Sequence, residues 1–121
     1  MVAKGVWISD DEAKQIAEAS LIALNEGDYE AFVANFADEL RQAMSEENFQ
    51  ELRTTLQETS GMFLSLTGPQ LVKASTPDVV GYVYTCEFEK EEVILTNYYI
   101  VDGDRIEGYF VNSPNLRKIS Q

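Results

Sequence analysis

Apolar residues recur at two different periods along this chain, and the period changes near Gly61. Before that point the spacing is helical. Ala13, Ile16, Ala17, Ser20 and Leu24 fall on one face of a 3.6-residue turn. Ser9-Asp10-Asp11-Glu12 reads as the start: Ser9 caps, Glu12 reaches back from three residues on, and the acids suit the positive end of the helix dipole. Asn25-Glu26-Gly27 stops this helix, with Gly27 in the left-handed cap conformation. Asp28 caps a second, short helix with the stripe Tyr29, Phe32, Val33 and Phe36. Residues 38–44 continue it by another turn or two, with Leu40 and Met44 on a shared face. Ser45-Glu46-Glu47 opens a third helix that buries Phe49, Leu52 and Leu56 and ends near Ser60-Gly61.

After Gly61 the pattern alternates. Met62, Leu64 and Leu66 interleave with Phe63 and Ser65 until Gly68-Pro69 interrupts. Residues 70–76 read as a strand and Pro77-Asp78 as a turn. Residues 79–89 form a long strand with Val80, Tyr82, Tyr84, Cys86 and Phe88 on one face. Val79, Gly81, Val83, Thr85 and Glu87 take the other. Lys90-Glu91 turns the chain into a strand over 92–101, and Asp102-Gly103-Asp104 makes a tight hairpin into a last strand over 105–111. Ser113-Pro114 ends it, and residues 115–121 read as a loose tail. Gly81 and Gly108 lie within strands, where glycine marks a bulge or a sharp bend. Helices grouped ahead of a meander predict an α+β fold: three N-terminal helices packed on one face of a curved antiparallel sheet.

Three segments together resemble the cystatin-like cone of the nuclear-transport-factor-2-like superfamily. They are ALNEGDYEAFVANF (23–36), ENFQELRTTLQETSG (47–61) and YVYTCEFEKEEVILTNYYIVDGDRIEGYFV (82–111). More narrowly, the chain is similar to a small uncharacterised family of that superfamily, whose members occur alone or beside α/β-hydrolase domains. The resemblance covers residues 10–111. It implies a cone fold and leaves activity open, because the superfamily holds isomerases, dehydratases, epoxide hydrolases, transport factors and dimerisation modules. Its enzymes place a carboxylate, often with Tyr or His, inside the mouth of the cone.

Composition narrows the chemistry. The 121 residues make one domain, 1–121, with an ordered core over 9–112, and the 45% apolar content supplies a core without staples. Nine basic against twenty-one acidic residues leave a net charge of −12, which repels phosphate backbones and anionic lipid. Nucleic acid is therefore not an expected partner. No apolar run approaches the roughly 18 residues a membrane span needs. The single cysteine, Cys86, allows no intramolecular disulfide and has no basic neighbour before Lys90 to activate it, so it reads as a core residue. The expected compartment is the cytoplasm if the chain starts at Met1, and extracytoplasmic if a leader has been removed.

The chain has no histidine, which removes imidazole dyads, triads and metal sites. No cofactor is expected, and Asp102-Gly103-Asp104 has too few ligands for a calcium loop. A carboxylate–tyrosine pair is the catalytic arrangement left open: burial raises the acid's pKa and a phenol donates to a developing oxyanion. The acids to consider are Asp38 and Glu39, with Glu87 and Glu92 reading as solvated. The phenols are Tyr82, Tyr84, Tyr98, Tyr99 and Tyr109. Trp7 reads as a staple or an arm before the first helix. The candidate pocket is Phe32, Phe36, Asp38, Tyr82, Tyr84 and Tyr98. Both faces of the long strand are apolar, so helices on one side and a second copy on the other are expected. The function expected is a non-catalytic accessory domain that dimerises through its sheet and takes a small hydrophobic ligand or a partner segment. The alternative is a cofactor-free isomerase, dehydratase or hydrolase. A buried carboxylate beside a tyrosine in an open cavity favours the enzyme; a cone filled by Phe32, Phe36, Leu52, Leu56 and tyrosines counts against it.

Overall fold

The computed structural model describes residues 8–73, 78–100, 103 and 105–112. Helix α1 (Asp10–Glu26) starts at an extended Ser9 whose Oγ accepts the Glu12 N–H at 3.1 Å. It ends at Gly27, with φ 74°, whose N–H donates to Ala23 O. Its buried face includes Ala13, Ala17, Ser20 and Leu24 as the spacing predicts, and adds Leu21 and Ala23. Helix α2 (Tyr29–Val33) is capped by Asp28 Oδ1, which accepts the Ala31 N–H at 3.2 Å. Helix α4 (Glu46–Thr59) is capped by Ser45 Oγ on the Asn48 N–H at 3.1 Å. Three caps read from the sequence thus stand where serine and aspartate satisfy the free amides of a first turn.

The helical layer holds four helices rather than three, because 38–44 does not prolong α2. Ala37 is extended, with φ −64° and ψ 157°, and α3 (Asp38–Ala43) starts afresh after it. The break has a tertiary cause. The Ile106 N–H donates to Asn35 O and the Ala37 N–H donates to Ile106 O, both at 2.8 Å, forming a parallel bridge between Phe36 and Ile106. That bridge draws Phe36 off the helical stripe and holds it buried. It also takes Ile106 out of the last strand, which runs over Gly108–Asn112 instead of starting at Arg105.

The sheet is a meander, β1 (Phe63–Lys73), β2 (Val79–Phe88), β3 (Glu92–Ile100) and β4 (Gly108–Asn112), paired in chain order and antiparallel throughout. Strand β1 corrects the expectation of a strand over 70–76. It begins at Phe63 and runs through Gly68-Pro69, where the peptide is cis and the register on β2 shifts. A proline lacks the N–H for a ladder bond, and β1 is an edge strand, where that loss is tolerated. Residues 74–76 of the expected strand, Val101, and most of the 102–104 hairpin lie outside the described residues, as do Trp7 and the tail. Gly103 N–H donates to Ile100 O at 3.0 Å.

One hydrophobic core joins the helices to the inward face of the sheet. Its largest fully buried side chains include Tyr82, Tyr84, Tyr99, Phe32, Phe36 and Phe49. Burying a side chain of this size contributes about 1.5–3 kcal/mol. Asn25 ties the layers at one corner, donating to Phe63 O and accepting from the Phe63 N–H, both at 2.9 Å.

Candidate functional site: the concave face of the sheet

Alternation along β2 and β3 sends Tyr82, Tyr84, Cys86 and Phe88, with Val93, Leu95, Asn97 and Tyr99, toward the helices. The aromatic row of β2 therefore faces the core. The helical end of this face is filled by an interlocked ring cluster. Phe32 lies 5.1 Å from Phe36, 5.0 Å from Phe49 and 5.1 Å from Tyr109, centroid to centroid. Tyr109 spends its hydroxyl on Ser20 Oγ, 2.8 Å away.

Toward the start of α1 the interior becomes polar in places. Tyr82 Oη donates to Ile8 O. Its ring meets Tyr99 edge to face at 5.2 Å. Asn97, 0% exposed, stands opposite Tyr82 in the register on one side and Tyr109 on the other. Among the described residues neither Nδ2 nor Oδ1 of Asn97 has a hydrogen-bond partner, and neither does Tyr84 Oη. Each buried polar group left unmatched costs about 1–3 kcal/mol, so such groups are rare unless something is gained by them.

The titration behaviour follows from burial. Desolvation, with the Tyr99, Tyr82, Asp10 and Cys86 charges adding to it, pushes the Tyr84 phenol up. Desolvation and then Asp10 push Tyr82 up. Burial pushes the Cys86 thiol up to about 12, against a lowering by a backbone hydrogen bond from Leu95. Desolvation raises Tyr109 against a lowering by its bond to Ser20. The concave face therefore carries neutral donors at neutral pH.

Four of the six residues marked as pocket candidates, Phe32, Phe36, Tyr82 and Tyr84, share this interior. The other two lie elsewhere. Asp38 is exposed in the first turn of α3. Tyr98 is on the outer face, stacked edge to face on Phe110 at 5.7 Å. Its ring lies against Gly81 and Gly108; the register runs unbroken through Gly81, so no bulge stands there, while Gly108 is the first residue of β4, just after the Ile106 bridge. A Cβ at Gly81 would come within 3.0 Å of Tyr98 Cε1, and one at Gly108 within 3.2 Å of Tyr98 Cδ2. The glycines make room for the ring to lie across the sheet.

Among the described residues no carboxylate is buried; Glu39, Glu87 and Glu92 are exposed like Asp38. No group of three His, Cys, Asp or Glu among them could hold a metal ion. No helix among them is long and apolar enough to cross a membrane. An open groove on α4, lined by Glu47, Gln50, Glu51, Thr54 and Thr55, faces away from the core. The residue the sequence reading passed over is Asn97. Its signal was one amide in an inward row that is otherwise Val93, Leu95 and Tyr99.

No curated protein matches this chain. A family model matches residues 17–105, a span from the first helix to the last turn that contains Tyr84 and Asn97. The chain belongs to the family described as Protein of unknown function (DUF3887).

Proposed function

We propose that this chain is a single cone domain of the nuclear-transport-factor-2-like kind that serves as a non-catalytic accessory module. It receives a small, largely apolar molecule on its concave face and pairs with a second copy through the outer face. One observation carries the ligand site: polar atoms of Asn97 and Tyr84 that have no partner among the described residues, inside an interior otherwise walled by aromatic and aliphatic side chains. Apolar walls with a few convergent polar groups are the usual make-up of a small-molecule site. Phe32, Phe36 and Tyr82 form its walls, and Asp38 and Tyr98 stand outside it. A binding role fits better than proton chemistry because the interior offers phenols and an amide, with no buried carboxylate among the described residues.

The pairing rests on the opposite face. Val72, Val83, Ile94, Tyr98, Ile100 and Phe110 make an apolar patch on this face, with Phe110 60% exposed, and Glu87 and Glu92 stand opposite each other at the face's β2–β3 turn end. On a molecule of net charge −12, that uncharged patch is where two copies meet with least repulsion, with Glu87 and Glu92 left at its edge.

Toluene tests the ligand site directly. Titrated into the 15N-labelled chain, it is expected to move the amide resonances of Tyr84, Leu95 and Asn97. Shifts confined to Tyr98 and Phe110, or none up to toluene saturation, would remove the interior site.

A further inference from the structure

The polar atoms of the concave face define what kind of head group they can match. Asn97 presents donors on Nδ2 and an acceptor on Oδ1 side by side. Its two cross-strand neighbours do not serve it, since Tyr82 Oη is spent on Ile8 O and Tyr109 Oη is engaged with Ser20. Tyr84 sits one inward position along β2 from Tyr82 and brings a second unpartnered donor to the same interior.

A carboxylate offers acceptors only and leaves Oδ1 facing negative charge. No Lys or Arg among the described residues is buried to compensate it, and the molecule is strongly acidic overall. A cation would answer Oδ1 and leave the Nδ2 hydrogens unmatched. A neutral group with an acceptor and a donor side by side answers both. Its carbonyl also has a second lone pair for the Tyr84 hydroxyl, which burial keeps protonated.

We propose that Asn97 and Tyr84 recognise the uncharged carboxamide or lactam head of a small apolar molecule held on the concave face. This rests on the reading of that face as a ligand site, and deepens it by naming the ligand's chemistry.

The test uses the full chain, 15N-labelled, titrated at pH 7 with benzamide, benzoate, benzylammonium and toluene. The readouts are the Asn97 side-chain NH2 resonances and the dissociation constant of each probe. Benzamide should move the Asn97 NH2 pair and bind at least about tenfold more tightly than the two charged probes. A carboxyl of ordinary pKa is neutral in roughly one molecule in several hundred at pH 7, so protonation does not rescue benzoate. Asn97→Leu and Tyr84→Phe should each weaken benzamide by up to about tenfold, the range of one hydrogen bond, and leave toluene unchanged. Tyr84→Phe removes one oxygen and keeps the test open should Asn97→Leu fail to fold. Benzoate or benzylammonium binding as tightly as benzamide would overturn the assignment. So would benzamide and toluene binding equally with the Asn97 NH2 pair unmoved, although the ligand site itself would then stand. If none of the four perturbs the interior, both readings fall.

Discussion

Cys86 and the tyrosines beside it set how the domain responds to alkali. The thiol is fully buried and its pKa is raised from 9.0 to about 12 by desolvation. A group whose folded pKa lies above its unfolded value holds its proton longer in the native state. Its contribution is fully present below pH 9 and is lost as pH rises toward 12, because the unfolded chain releases the proton first. The slope is about 1.4 kcal/mol of stability per pH unit for one such group in that window. The raised Tyr84 and Tyr109 phenols add losses of the same sign at higher pH. Urea midpoints should therefore be flat near pH 8 and fall steadily above pH 9. Cys86→Ala should flatten the first part of the decline. An unchanged profile in that variant would show that the thiol does not supply it.

The helix ends are where local sequence and tertiary contacts meet. Gly27 closes α1 with φ 74°, and a Cβ there would sit 3.0 Å from Arg53 Cζ and 3.2 Å from its Nε. Arg53, from α4, needs that closeness: its Nε donates to Leu24 O at 2.8 Å and Nη2 donates to Asn25 O at 3.3 Å. One arginine thus satisfies two of the free carbonyls at the end of α1. Gly27→Ala should cost about 1–2 kcal/mol from the left-handed backbone, with the crowding of Arg53 on top. Arg53→Ala should cost about 1 kcal/mol through lost hydrogen bonds. The double variant should lose less than the sum, because removing the guanidinium clears the space the new Cβ needs. Urea denaturation of the four proteins measures this, and strict additivity would dismiss the proposed crowding.

At the scale of the whole molecule the sheet has two unlike faces. The inner one is covered by the chain's own helices. The outer one carries the Tyr98–Phe110 pair and the aliphatic row around it, open to solvent in one copy. If two copies pair there, light scattering at high micromolar concentration should report twice the 13.6 kDa chain mass. Phe110→Glu should return a monomer with stability changed by less than about 1 kcal/mol, as expected for an exposed site. A wild-type monomer at that concentration would end the pairing proposal.

Much of the architecture was legible because it is written in local chemistry. Ser9, Asp28 and Ser45 announce helix starts, Gly27 announces an end, and the alternation from Val79 to Phe88 marks a strand with one aromatic face. What stayed hidden depends on partners far away in sequence. Ile106 reaches Asn35 and Ala37 across the fold, which splits one expected helix extension into a separate α3 and shortens β4. β2 supplies a ladder on both sides of Gly68-Pro69, so β1 is one strand where the local signal reads a break. The candidate site divides the same way. Sequence marked the inward aromatics, since a period of two separates faces, but it could not say that Tyr98 falls on the outer face over Gly81 and Gly108. Nor could it say that Asn97 is buried with no hydrogen-bond partner among the described residues. Periodicity and caps are properties of neighbours along the chain, and they determined the elements. Register, burial and hydrogen-bond satisfaction are properties of neighbours in space, and only the tertiary structure decided them.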